Sequence, residues 1–119
     1  MINQFAIATR KDPQGRFAII ATDGYINNLA GEKIGEAASL LMAEGYTRLI
    51  INLEKSTVIN SIGISILIEI IEKMQEIHGA LAFCNLTKTI HKTFTIMGLT
   101  QYAALYENEQ EAARGIMDA

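Results

Sequence analysis

The stretch TRLIINL at residues 47–53 constrains the fold more than any other part of this sequence. It is rich in large apolar and β-branched residues, and it lacks the regular polar alternation of a strand with one face in water. Strands of this kind are buried on both faces, usually inside a sheet that carries helices. Segments with helical periodicity flank it on both sides. The stretch therefore predicts a central strand of an α/β sheet.

The remaining segments alternate between strand and helix patterns. Residues 4–10 and 16–23 are short and apolar, and Pro and Gly in the intervening KDPQG predict a hairpin. Two further strands are predicted at 80–86 and 103–107. Helices are predicted at 28–44, 61–77, 87–97 and 108–117. This order predicts a single domain over residues 1–119, with about four helices packed on a mixed sheet of four or five strands.

The strand and helix patterns also predict which side chains form the core. The residues expected to be buried are Ile19, Leu49, Ile51, Leu53, Ile66, Ile70, Leu81 and Phe83.

Composition excludes several classes of protein. The net charge is −3, and no stripe of Lys and Arg is present that would release counterions from a nucleic acid, so no nucleic-acid partner is expected. The longest apolar run, SIGISILIEII, contains Glu69 and is too short to span a bilayer, so no membrane insertion is expected. The N-terminus lacks the features of a signal peptide, and the single Cys84 permits no disulfide within the chain. These features predict a cytoplasmic protein.

No constellation of catalytic or metal-binding residues is apparent. His78 and His91 fall on different predicted elements, and one cysteine cannot form a thiolate site. The phosphate-binding patterns GxGxxG and GxxxxGK[ST] are absent. Ser61, His91 and Asp23 have the residue types of a Ser-His-Asp catalytic triad. However, no nucleophile-elbow glycines flank Ser61. We therefore expect no catalytic residues, no metal and no cofactor, and hence a protein that is not an enzyme.

The predicted helix that follows Asn60 has more apolar residues than a core stripe requires. At about 100° per residue, a helical wheel separates three sets. The predicted core stripe comprises Gly63, Ile66, Leu67, Ile70, Met74 and Ile77. The predicted solvated face comprises Ser65, Glu69, Glu72, Lys73 and Glu76. Ile62, Ile64 and Ile68 lie between these faces, where either the chain's own loops or a partner must cover them.

The start of this helix suggests a switch. Either Ser61 or Asn60 can cap the helix by accepting a hydrogen bond from a first-turn amide. The free amides and the dipole at a helix N-terminus also tolerate negative charge. A phosphate on Ser61 would place a charge of about −2 beside the apolar positions, which disfavours a partner that buries them.

The stretch LIINLEKSTVINSIGISILIEI resembles the core of STAS domains, in particular those of bacterial anti-sigma-factor antagonists. That family has a hydrophobic strand, a short loop, and then Asp-Ser-(Ser/Thr)-Gly-(Leu/Ile) at the start of a helix. DGYINNLAGEKI is similar to the family's Gly-x-(Leu/Ile)-Asp segment, which leads into its first helix. IHKTFTIMGLTQYAALYENEQEAARGI is similar to its third helix, Gly-Leu turn, final strand and final helix.

The resemblance implies a function. An unmodified antagonist binds a cytoplasmic anti-sigma factor that is also a serine kinase, the kinase phosphorylates the first serine of the motif, and a serine phosphatase reverses this. That serine corresponds to Ser61. Asn60 stands in place of the motif's Asp, Ile62 in place of its second hydroxyl residue, and Asn27 in place of the acid near the first helix. Two amides thus replace carboxylates, which lowers repulsion toward a phosphate but removes groups that a kinase or phosphatase could use.

These arguments define a predicted site. Ser61 is the phosphoacceptor, and its predicted surroundings are Asn27, Asn60, Ile62 and Gly63. The predicted partner-binding residues are Asn27, Ile59, Asn60, Ser61, Ile62, Ile64 and Ile68. Two alternatives remain open. One is a phosphorylation-independent STAS scaffold, in a signalling complex or as an accessory subunit of a transporter, and the other is a small enzyme or nucleotide binder.

Overall fold

Five strands form one mixed sheet in a computed structural model that describes residues 4–118. The strands are β1 (Ala6–Lys11), β2 (Ala18–Asp23), β3 (Arg48–Lys55), β4 (Ala80–Cys84) and β5 (Ala104–Tyr106). They lie in the order β1-β2-β3-β4-β5, with β1 antiparallel to β2 and the other pairs parallel. The helices are α1 (Asn28–Ala43), α2 (Ser61–Glu76), α3 (Lys88–Ile96) and α4 (Glu109–Met117), and a short 3₁₀ turn spans Leu99–Gln101. The predicted α/β architecture is confirmed.

Helices cover both faces of the central strands. Leu49, Ile51 and Leu53 of β3 join a core that includes buried residues of α1, α2 and α3. Ile50, which points the other way, joins a second core with Ile116 and other residues of α4. β3 is therefore buried on both faces, as the apolar character of residues 47–53 predicted.

Helix α2 sits on the sheet in a different rotation from the predicted one. Its buried residues are Gly63, Ile64, Leu67, Ile70, Ile71 and Met74. Ile66, predicted to be buried, is only half-buried and packs on Gly31 of α1, while Ile77 is 42% exposed. The other residues predicted to be buried lie in the core. The first turns of α2 are apolar nearly all the way round, so periodicity alone could not identify the side that faces the sheet.

Between residues 4 and 118, no helix is both long enough and apolar enough to cross a membrane.

Candidate functional site

The segments that lead into α1 and α2 are joined by backbone hydrogen bonds. The Ile26 amide donates to the Val58 carbonyl at 3.0 Å, and the Asn60 amide donates to the Ile26 carbonyl at 3.0 Å. Ile26 and Ile59 pair here in an isolated parallel bridge, and Ile26 is completely buried. Because β2 and β3 are parallel, both segments leave the sheet at the same edge, and the N-termini of α1 and α2 are held side by side.

A buried pair of hydroxyl groups anchors the loop that follows β3. The Thr22 and Ser56 hydroxyl oxygens are 2.7 Å apart, and both residues are buried. Thr22 lies where the register between β2 and β3 shifts, near the end of β2. The chain is therefore fixed to the neighbouring strand only a few residues before it reaches Ser61.

Gly63 allows the first turn of α2 to approach the segment before α1. A Cβ atom built on Gly63 would lie 2.6 Å from the carbonyl oxygen of Ile26 and 3.1 Å from a side-chain carbon of Ile59. The nearer contact is with backbone, which cannot rotate away as a flexible side chain can. A glycine is consequently required at this position for a packing reason.

Asparagine side chains cap both helices. The Asn60 Oδ1 accepts a hydrogen bond from the Gly63 amide at 2.8 Å, and the Asn27 Oδ1 accepts one from the Ala30 amide at 3.0 Å. Asn60 is thus the cap of α2, and Ser61 is its first helical residue. Of the two caps that the sequence allowed, the structure selects Asn60.

The side chain of Ser61 has no role in holding the helix start together. The residue is exposed, and its hydroxyl makes no hydrogen bond to another residue in the range 4–118, although its carbonyl accepts one from the Ser65 hydroxyl. A kinase that acts on Ser61 would therefore have no intramolecular hydrogen bond of this hydroxyl to break.

The surroundings of Ser61 are free of charged side chains along both segments. Residues 24–31 and 56–68 contain no charged residue, and neither α1 nor α2 has an acidic residue in its first turn. Asn27 and Asn60 use Oδ1 to cap, which leaves their Nδ2 groups as donors. Two helix N-termini also contribute partial positive charge here. An anion on Ser61 would accordingly meet no carboxylate from either segment.

The structure corrects one residue of the predicted partner surface and supports the accessibility of others. Ile64 is only 5% exposed and belongs to the core, so it is removed from that surface. Ile62 is 52% exposed, and Asn27, Ile59 and Asn60 are half-buried. Ile64 faces the sheet because the rotation of α2 described above places it on the same side as Leu67 and Ile71, which follow it by one and two turns.

Ile68 lies apart from the other predicted contacts. It is half-buried and lines a cleft between α2 and the residues that follow α3, with Met97 and Tyr102 on the opposite side.

Three exposed apolar residues of the segments that lead into α1 and α2 were not included in the prediction. Tyr25, Leu29 and Val58 are exposed and lie in the two uncharged segments. Leu29 is exposed to solvent, whereas its neighbour Ala30 is buried. Tyr25 and Val58 could have been found as large apolar residues in loops without charge. With Ile62 they make up the exposed large apolar residues of these two segments, which we call the apolar end (Tyr25, Leu29, Val58, Ile62). Tyr25 and Leu29 also line a cleft with Phe5 and Glu32.

The residues considered for catalysis lie in separate clefts. His91 lines one with Lys88 and Glu107, and Asp23 lines another with Lys55. Among residues 4–118, no group of three His, Cys, Asp or Glu side chains could hold a metal ion.

A polar cluster on the α4 face ties β1 to α4. The Glu109 carboxylate pairs with Arg10 of β1 and accepts a 2.6 Å hydrogen bond from the Asn52 Nδ2. Burial alone raises the pKa of Glu109, but the hydrogen bonds from Arg10 and Asn52 and the Arg10 charge outweigh it and hold that pKa below its ordinary value. Burial of the Cys84 thiol, together with the nearby Glu109 and Glu54 carboxylates, raises its pKa to about 12. Cys84 is therefore an inert core thiol at neutral pH.

Comparison with known proteins places this geometry in a family. The family model of the STAS domain matches residues 8–112. No curated protein gives a significant match to the sequence. Among solved structures, an anti-sigma factor antagonist from Mycobacterium paratuberculosis is 17% identical, with a TM-score of 0.82 over 95% of this chain and 94% of its own.

Two further structures are similar in fold. A putative anti-sigma factor antagonist from Thermotoga maritima is 13% identical, with a TM-score of 0.83 over 92% of this chain and 93% of its own. The phosphorylated form of the Bacillus cell fate determinant SpoIIAA is 21% identical, with a TM-score of 0.73 over 93% of this chain and 99% of its own. The STAS family model covers most of the sequence, so this chain belongs to the STAS domain family.

Proposed function

We propose that this protein is an anti-sigma-factor antagonist whose binding is switched off by phosphorylation of Ser61. In the unmodified state it binds a cytoplasmic anti-sigma factor that is also a serine kinase. Phosphorylation dissociates the complex, and a serine phosphatase restores binding. The protein itself acts by binding and catalyses no reaction. The observation that carries this proposal is an exposed Ser61 hydroxyl, free of any capping role, beside the apolar end.

The apolar end supports the binding step. Its four side chains are large and exposed, and the segments that carry them contain no charged residue to keep a partner away. Large exposed apolar groups on neighbouring segments are typical of protein interaction sites. Asn60 and Gly63 fix the helix start by contacts with neighbouring backbone, so the surface is formed before a partner arrives.

The position of Ser61 supports the switch. A phosphate there gains from the helix N-terminus and from the amide donors of Asn27 and Asn60, so the domain itself tolerates the modification. The same phosphate would be buried among uncharged side chains of the interface, where a charge without a partner is costly. The modification therefore acts on the complex and leaves the fold intact.

Related structures add support. SpoIIAA is described as an anti-sigma factor antagonist and has been solved in unphosphorylated and phosphorylated forms. Both forms share the fold of this chain, with TM-scores of 0.75 and 0.73. A phosphate is thus compatible with this architecture.

A second candidate is a STAS scaffold that binds its partners without phosphorylation. Asn27 and Asn60 favour it, because they replace acids that the family carries beside its phosphoacceptor. In that case Ser61 would lie at the centre of a permanent contact and its modification would have no role.

An affinity pull-down from the native cell separates these candidates. The bait is the tagged chain, and mass spectrometry identifies the bound proteins and the modification state of residue 61. Ile62→Glu serves as the matched bait, since it charges the apolar end at an exposed position. We expect the native bait to recover a serine-kinase anti-sigma factor and the Ile62→Glu bait to recover none. Native bait molecules that have no partner bound should carry a phosphate on residue 61. A transporter or a multiprotein complex, bound equally whether or not residue 61 is modified, would favour the scaffold.

A further inference from the structure

A second apolar surface lies between α2 and the segment that follows α3. We call it the α2–α3 cleft, and its lining residues are Ile68, Ile71, Glu72, Gln75, Met97, Gly98, Leu99 and Tyr102. Ile71 and Leu99 are buried and form its floor, while Met97 and Tyr102 are exposed on one wall. Ile68 forms part of the opposite wall. The cleft thus has an apolar interior that is open to solvent.

The way α3 ends creates this cleft. Gly98 adopts a left-handed conformation (φ 84°), which ends the helix after only nine residues and turns the chain into the 3₁₀ segment Leu99–Gln101. Leu99 then inserts into the core, and Tyr102 follows on the outer side. Ile68, Ile71 and Gln75 of α2 line the cleft on the side opposite this segment.

Charge is unevenly distributed around the cleft. Glu72 lines the cleft, and Glu69 and Glu76 are exposed on α2 three and four residues from it, outside the lining. None of the three forms an ion pair with another residue between 4 and 118. Lys73 is the single cation on this helix. The opposite wall belongs to residues 93–106, which contain no charged residue. Like charges at these spacings repel one another, and a cationic ligand would relieve that repulsion.

The cleft is continuous with the Ser61 surface. Ser61, Ser65, Ile68 and Glu72 follow one another at spacings of four, three and four residues, and such positions share one side of a helix. Ile68 lies about 10 Å along the helix from Ser61, at a rise of about 1.5 Å per residue. One partner could therefore cover both regions.

We infer that the α2–α3 cleft receives a basic amphipathic helix of the same partner that covers the apolar end. This inference rests on the proposed function and extends it to a second contact. Large apolar side chains of that helix fill the space between Ile68, Met97 and Tyr102, and its Lys or Arg side chains face Glu69, Glu72 and Glu76. Apolar anchors in a groove with flanking charges are a recurring mode of helix recognition. The apolar end then determines whether binding is permitted, and the cleft contributes selectivity for a partner with this helix.

The test measures the affinity of the purified chain for the purified kinase that the pull-down recovers. Tyr102→Glu and Met97→Glu should each weaken binding by about tenfold or more, because each places a carboxylate among apolar groups. Leu40→Glu is the matched control. Leu40 and Tyr102 are both 61% exposed, but Leu40 lies near the end of α1, outside both surfaces. Circular dichroism should show that all three variants are folded.

A second measurement tests the charge of the helix. Affinity for the kinase should fall as salt rises, because the acidic face of α2 contributes the charged contacts. The Glu69→Gln/Glu72→Gln/Glu76→Gln variant should bind several-fold more weakly at low salt and lose most of that salt dependence. Glu54→Gln/Glu107→Gln is the control, because both side chains are exposed and line clefts outside the two surfaces, and it should behave like the native chain.

The outcomes separate this inference from the proposed function. If Ile62→Glu abolishes binding while the Met97 and Tyr102 variants bind normally, the proposed function stands and the cleft is not part of the interface. If the cleft variants bind weakly but the Glu-to-Gln variant retains full affinity and salt dependence, the occupant is not basic and the inference is wrong. If no kinase binds the native chain, the proposed function fails and the inference fails with it.

Discussion

Gly63 and Ile26 approach each other so closely that a Cβ atom on the glycine would lie 2.6 Å from the Ile26 carbonyl oxygen. The same carbonyl accepts a hydrogen bond from the Asn60 amide. One backbone group of the segment before α1 thus determines both where α2 begins and how closely its first turn packs. The orientation of Ser61 depends on this contact, because Ser61 lies between the two residues that make it.

Gly63→Ala should therefore destabilise the protein and weaken partner binding. The added methyl group meets backbone, and overpacking of this kind costs about 1–3 kcal/mol. Gly35→Ala is the matched control, since a Cβ there would lie 3.8 Å from the nearest atom of Ile66, an ordinary contact. Replacing that helical glycine should stabilise the protein by about 0.5–1 kcal/mol. Urea denaturation measures both values, and equal effects of the two substitutions would contradict the packing argument.

The capping role of Asn60 makes a second prediction. Asn60→Ala should cost about 1 kcal/mol of unfolding free energy, whereas Asn60→Asp should cost little, since Asp caps as well as Asn. Asn108→Ala removes an equivalent cap from α4, where the Asn108 Oδ1 accepts from the Glu111 amide at 2.9 Å. It should cost a similar amount of stability and leave partner affinity unchanged. Loss of affinity in the Asn108 variant would show that reduced stability alone impairs binding.

Ser61→Asp should separate stability from binding. Ser61 does not cap the helix, and a negative charge in the first turn interacts favourably with the helix dipole, so the melting temperature should not fall. Binding to the kinase should weaken by about 2–5 kcal/mol if the charge is buried at the interface without a partner. Ser61→Ala should bind normally and escape regulation. Ser39→Asp places the same charge at an exposed position of α1 outside both surfaces and should bind normally.

If Ser61→Asp binds as tightly as the native chain, the switch is absent and the scaffold function is favoured.

Glu109 should make the stability of the protein sensitive to acid. Its pKa is lowered in the folded state, so the unfolded chain binds the proton at a higher pH than the folded protein does. The stability from this group is fully present above the ordinary Glu pKa of about 4.3 and is lost as pH falls through the lowered folded-state value. Glu109→Gln should be less stable than the native protein at pH 7, and the difference should shrink on acidification. Urea midpoints at several pH values measure this, and a constant difference would contradict it.

Cys84 should resist alkylation in the folded protein. The thiol is completely buried, and its pKa of about 12 keeps the reactive thiolate scarce at pH 8. Iodoacetamide should label Cys84 in urea but not in native buffer, as read by mass spectrometry. Rapid labelling of the native protein at pH 8 would mean that this face opens readily.

Much of the fold could be predicted because its signals are local. The two-sided burial of β3 follows from residues 47–53, and each predicted helix begins and ends within about two residues of the observed one. Asparagine, serine and glycine also mark the start of α2 without reference to any other segment. Ser61 could be located at a helix start for the same reason.

The tertiary structure alone decided which side chains of that helix are available to a partner. Ile62 and Ile64 are equally apolar neighbours, but packing on the sheet exposes the first and buries the second. The segments that carry Tyr25, Val58 and Ile62 are brought together by backbone hydrogen bonds between residues about thirty positions apart in sequence. Periodicity describes how residues of one helix relate to each other, whereas burial depends on the direction from which the sheet approaches. That direction is set by long-range contacts such as Gly63 on Ile26, which no local pattern contains.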